Sequence, residues 1–169
     1  MNFNVTHLLD YTEWERNDWH SWLRQNGEQV LKMSAGPHGD GRFPTIGDLI
    51  RHIFAAEKRY VERLYGRPLT DYDLIPNDSI GALFGFGMQS RRDLKELLET
   101  FPASDWNVSR EFKILQWVIH ATPNKIIAHT LMHEVRHWAQ IATMLRLNGL
   151  KVDFHDFLAS PVMGGDWKQ

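Results

Sequence analysis

Asn124-Lys125-Ile126-Ile127-Ala128-His129-Thr130-Leu131-Met132-His133-Glu134-Val135-Arg136-His137-Trp138-Ala139-Gln140-Ile141-Ala142-Thr143-Met144-Leu145-Arg146-Leu147-Asn148 keeps apolar residues at three- and four-residue spacing throughout. Thr122-Pro123 precedes it and Gly149 follows it. A threonine at the N-cap, a proline at the first helical position and a glycine past the last turn are helix start and stop signals, so the stretch predicts one long helix. On it His129, His133 and His137 stand four residues apart. Four residues is about one helical turn, so the imidazoles line one side of the helix.

At about 100° per residue the three lie at about −40°, 0° and +40°, and the trio rises about 12 Å from end to end. One ion is therefore not easily held by His129 and His137 together. An adjacent pair is the natural set, completed by a ligand from another helix. His133-Glu134-Val135-Arg136-His137 reads as H-E-x-x-H, and two histidines at i and i+4 are a standard way to hold a divalent metal. Glu134 falls at about +100°, off to one side, where it either accepts a proton at such a site or faces solvent.

Working outward, three more helices are expected. The first runs from about Val5 to Glu28 on Leu8, Leu9, Tyr11, Trp14, Trp19, Trp22 and Leu23. A loop rich in Gly and Pro, Ser34 to Pro44, follows; its length suggests a lid or a crossover rather than a tight turn. Thr45-Ile46-Gly47-Asp48 resembles a capping box, opening a second helix that Gly66 and Pro68 end. The third runs from Ser79 to Thr100, its first half weakened by Gly85 and Gly87. Between Trp106 and Ala121 the chain is aromatic and β-branched, which suggests a short extended segment or hairpin across the helices. The tail after Lys151, with Phe154, Phe157 and Trp167, is expected to pack irregularly over them. The fold class is all-α: a four-helix bundle with one or two long crossover connections, as a single domain over residues 1–169.

Composition narrows function. Hydrophobic content of 43% and charged content of 24% describe an ordinary globular chain, and seven Trp with nine Phe suggest an aromatic core or an aromatic-walled pocket. Nineteen basic and twenty-one acidic residues, without blocks, give a net charge of −2, which offers no basic face for nucleic acid. No lipidation signal, signal peptide or transmembrane run is visible, so no membrane partner is expected and a cytoplasmic setting is the default. The chain has no cysteine. Thiolate ligands, disulfides and a thiol nucleophile of its own are excluded, and any metal must be held by nitrogen and oxygen.

Two familiar uses of H-E-x-x-H do not fit. A metalloprotease needs a downstream Glu or Asp, or a His six residues on. That position is Thr143, no Glu follows Glu134, and only Asp153, Asp156 and Asp166 remain. A di-iron bundle needs two Glu-x-x-His motifs, and Glu134-Val135-Arg136-His137 is the only one. The best third ligand is His52, early in the second helix among Ile50, Ile53 and Phe54. With His133 and His137 it completes a three-histidine set that leaves positions open, as catalytic metals require. His7, His20, His38, His120 and His155 suggest no role.

Three segments together resemble the DinB-like family of metal-binding four-helix bundles, which includes thiol-dependent S-transferases and maleylpyruvate isomerase. Leu8-Leu9-Asp10-Tyr11-Thr12-Glu13-Trp14 is similar to its opening helix, and Thr45-Ile46-Gly47-Asp48-Leu49-Ile50-Arg51-His52 with Glu57 to its second. His129 to Gln140 resembles the motif in which two four-spaced histidines precede Arg-Gly-Gln, with Trp138 and Ala139 standing where the family usually has Arg and Gly. The resemblance implies His52, His133 and His137 as ligands, with His129 as a neighbour one turn away. It also implies zinc or nickel as the metal and a homodimer.

The expected function is that of a metal-dependent enzyme acting on a small molecule. The resemblance favours thiol transfer over hydrolysis, and without a cysteine in the chain the thiol would be an external one of low molecular weight. Glu134 or Glu57 is a candidate base, Gln140 a candidate to orient a ligand, and Trp14 and Trp138 candidate pocket walls. The alternative is a non-enzymatic, stress-associated metal-binding bundle. A weaker one is a structural homodimer whose histidines are satisfied without metal.

Overall fold

A computed structural model describes residues 3–38, 41–153 and 155–164. Phe154, Asp166 and Trp167 lie outside the described residues, as do Gly39 and Asp40 of the long loop. Four helices make up most of the chain: α1 (Val5–Asn26), α2 (Ile46–Tyr65), α3 (Ile80–Thr100) and α4 (Pro123–Leu147).

Each helix starts where a side chain can take orphan amide protons. Asn4, Thr45, Ser79 and Thr122 are the N-caps, and the Thr45–Asp48 capping box forms in full. Helix α1 stops two residues before the expected Glu28, because Gly27 adopts φ 83° and residues Glu28–Lys32 tighten into a 3-10 turn. Glu28 then accepts a hydrogen bond from the Ile80 amide at 2.7 Å, which ties that turn to the start of α3. The segment after α3 is a hairpin of β1 (Arg110–Ile114) and β2 (Trp117–Ala121), paired antiparallel with Ile114 opposite Trp117. Leu115, at its tip, holds φ 54°, a position that glycine usually takes in such two-residue turns.

In the bundle, α2 packs between α3 and α4, and α1 packs against the same two helices. Helices α1 and α2 are therefore diagonal, as are α3 and α4. The Gly/Pro-rich loop makes the first diagonal crossing, and the hairpin lies on the second.

The buried apolar side chains form two groups. One gathers Trp19, Phe54, Phe84 and Trp138 with their neighbours; the other gathers Leu9, Val61, Leu94 and Leu131. Fully burying side chains of this size contributes about 1.5–3 kcal/mol each. On every helix one charged residue separates the two groups: Arg16 on α1, Glu57 on α2, Arg91 on α3 and Glu134 on α4, all almost wholly buried. Their two positive and two negative charges cancel, which is the condition under which charges can be buried at all.

The glycines in α3 have different reasons. A Cβ on Gly87 would stand 2.8 Å from the Phe54 ring, whereas one on Gly85 would meet nothing within 4 Å. Gly87 is thus a close-approach residue between α2 and α3, and its carbonyl accepts from Arg16 Nη1 at 2.8 Å. Among the described residues, no helix is long and apolar enough to cross a membrane.

Candidate metal centre

Helix α2 presents His52 in its second turn, and α4, packed beside it, presents His133 and His137 one turn apart. Their ring nitrogens converge within 4.8 Å of one another. His133 Nε2 lies 3.0 Å from His52 Nε2 and 3.0 Å from His137 Nε2. A neutral imidazole nitrogen either donates or accepts, so protons alone cannot satisfy both contacts of His133 well. A cation about 2.0–2.1 Å from each nitrogen would space them by about 3.0–3.4 Å, which the two contacts of His133 match.

The electrostatics agree. Burial first, and then His137, His52, His129 and Arg136, push the His133 pKa down to about 2, so its ring is neutral with a lone pair to give. Gln140 Oε1 lies 2.7 Å from His137 Nδ1. A carbonyl oxygen only accepts, so the Nδ1 carries the proton and the His137 Nε2 lone pair faces the centre. This is the outer hydrogen bond that metal-ligating histidines commonly make. Phe43, from the end of the Gly/Pro-rich loop, stacks on the His52 ring with centroids 4.4 Å apart and restrains it.

The three histidines line a cavity of about 410 Å³, open to solvent, whose walls include Phe43, Tyr60, Tyr72 and the hairpin tip Ile114–Leu115. His129 lies on the same wall with its ring centroid 5.8 Å from that of His133. It is not one of the three converging residues, and it meets the Tyr60 ring edge-on at 5.5 Å.

Glu134 and Glu57 sit elsewhere. Glu134 does not face solvent, and its carboxylate is engaged in the core: it accepts from Arg16 Nε at 2.9 Å, Arg16 Nη2 at 2.7 Å, Arg91 Nη2 at 2.7 Å and Trp138 Nε1 at 3.0 Å. Burial works to raise its pKa, but Arg16 and Arg91 outweigh that and lower it. Glu57 accepts from Arg16 at 3.2 Å and from Arg91 Nε at 3.0 Å. Neither lines the histidine cavity, because the face of α4 that carries Glu134 and the face of α2 that carries Glu57 turn into the bundle. Trp138 is likewise a fully buried core residue, and Trp14 is not a wall of this cavity.

Reading the sequence missed four arginines on the cavity wall: Arg42, Arg59, Arg63 and Arg136. A signal existed, since Arg59 and Arg63 continue the three- and four-residue spacing from His52 through Ala55 and Ala56 along one face of α2.

What this defines is a four-helix bundle with three convergent imidazoles between two of its helices, beneath an open cavity. The DinB family model matches residues 1–166, and the chain belongs to the DinB family. Among curated proteins, none matches it in sequence.

Proposed function

We propose that the chain is a metal-dependent enzyme acting on a small molecule, with His52, His133 and His137 as the ligands of a zinc or nickel ion. One observation carries this reading: three neutral-capable imidazole nitrogens converge at the floor of a solvent-open cavity, the arrangement in which a three-histidine metal keeps a further position for water or substrate. A divalent metal held there supplies Lewis acidity, which lowers the pKa of a water or thiol that shares it.

The chain's own residues do the rest. Gln140 fixes the tautomer of His137, Phe43 restrains His52, and burial keeps His133 unprotonated. Tyr60 and Tyr72 narrow the approach. With no cysteine available, the nucleophile comes with the substrates: water for a hydrolase, or an external low-molecular-weight thiol for an S-transferase, which the family resemblance favours. The open cavity supports an enzyme over a metal-storing bundle, for which a closed coordination shell would serve.

Elemental mass spectrometry of the untagged protein, beside His133→Ala/His137→Ala, tests the reading. About one equivalent of metal in the wild type, lost in the double variant, is expected, followed by turnover in a screen of thiols with electrophiles. A wild type that carries no metal and takes up neither zinc nor nickel overturns it.

A further inference from the structure

Two arginines of α2, Arg59 and Arg63, stand one turn apart on the wall of the histidine cavity. Four guanidinium groups line it, and no carboxylate does among the described residues. Arginines of the core and of the surface pair closely with carboxylates: Arg16 and Arg91 with Glu57 and Glu134, Arg51 with Asp48, Arg110 with Asp105. Arg59 differs. Its side chain meets no acceptor among the described residues, and its Nε is buried without a hydrogen-bond partner.

Arg63, one turn along α2, is braced rather than neutralised. Its Nη1 donates to the Arg59 carbonyl at 3.2 Å and its Nε to the Lys113 carbonyl at 3.4 Å. Burial, and then the positive charge of Arg59, lower its pKa. Two adjacent guanidinium groups, one with a buried donor unsatisfied, are costly in an empty protein and become favourable when an anion bridges them.

We infer that this cavity takes a substrate bearing a carboxylate or phosphate group, which Arg59 and Arg63 hold while its other end reaches the three histidines. The inference rests on reading the cavity as the substrate site. His52 and Arg59 are seven residues apart on α2, about 10 Å along the helix axis. A cavity of about 410 Å³ suits a molecule of ordinary metabolite size that spans this distance. The planar guanidinium fork fits both carboxylate and phosphate.

Calorimetric titration with succinate, inorganic phosphate and neutral succinamide tests this, on the protein as purified and after metal chelation, in wild type, Arg59→Met and Arg59→Lys. The expected result is binding of succinate or phosphate but not succinamide. Affinity should fall about tenfold or more in Arg59→Met, fall less in Arg59→Lys, and survive chelation in the wild type. Metal content should be the same in all three proteins, and circular dichroism should show each folded. Failure of both anions to bind, equal affinity in Arg59→Met, or binding that chelation abolishes and Arg59→Met leaves unchanged each overturns it. A wild type without metal that still binds the anions through Arg59 would sink the metalloenzyme reading alone.

Discussion

Arg16 on α1 grips Glu134 on α4 with two parallel hydrogen bonds, Nε to Oε1 at 2.9 Å and Nη2 to Oε2 at 2.7 Å. Glu134 is the residue after His133, so the helix that carries the two histidines is anchored on its core-facing side, one residue from the histidine cluster. The glutamate of H-E-x-x-H therefore serves here as a positioning group for α4. Replacing one partner of a buried ion pair leaves its counter-charges exposed to a low-dielectric interior, at a cost of about 3–5 kcal/mol. Glu134→Gln is expected to lower stability by this order in urea unfolding, while the folded fraction still binds metal with wild-type stoichiometry. Unchanged stability would contradict this role.

Gln140 should act on affinity rather than on folding. It is partly exposed and its Oε1 accepts a hydrogen bond from His137 Nδ1, so Gln140→Leu removes the bond that holds the His137 ring in place. Metal affinity is expected to fall about 10- to 100-fold, read by competition with a chromophoric chelator. His129→Ala, outside the converging set, should leave metal stoichiometry unchanged. Equal loss in both variants would show that the ligand set has been misassigned.

The pH dependence of stability should carry the mark of Glu15, a buried residue of α1. Burial first, and then the charge of Glu134, push its pKa up to about 8 from 4.5, with the Trp19 indole opposing. Between those values the native chain holds a proton that the unfolded chain has lost. The stabilising contribution is therefore present in full below 4.5 and disappears as the pH rises towards 8, with a slope of at most about 1.4 kcal/mol per pH unit. Glu15→Gln should equal the wild type in acid and become progressively more stable than it as the pH approaches 8. Denaturant midpoints over a pH series read this directly, and parallel curves for the two proteins would refute it.

Two of the three glycines of α3, Gly85 and Gly87, should respond in opposite senses to alanine. At Gly87 the added Cβ meets the Phe54 ring at 2.8 Å, and overpacking of this kind costs about 1–3 kcal/mol. At Gly85 the space is open, so Gly85→Ala should stabilise the helix by about 0.5–1 kcal/mol. Thermal unfolding of both variants checks the pair, and a shift of the same sign in each would count against the packing described.

Local chemistry was legible from the chain alone. Thr45 with Asp48, Ser79, and Thr122 with Pro123 mark helix starts that the structure keeps, because a cap and the amides it satisfies lie within three residues of each other. The four-residue spacing of His133 and His137 puts them on one face for the same reason, and His52 could be proposed as their partner because so few histidines sit on apolar helical faces. What each neighbouring residue faces was not legible. Helical periodicity places Glu134 about 100° from His133, and that angle is equally compatible with a site base, a surface group or a core ion. Only the packing of α1 and α3 against α4, which brings Arg16 and Arg91 to its carboxylate, decided among them. The arginine-lined wall arose in the same way: Arg59 and Arg63 come from α2, Arg136 from α4 and Arg42 from a loop, and spacing along a chain carries no information about which helices become neighbours.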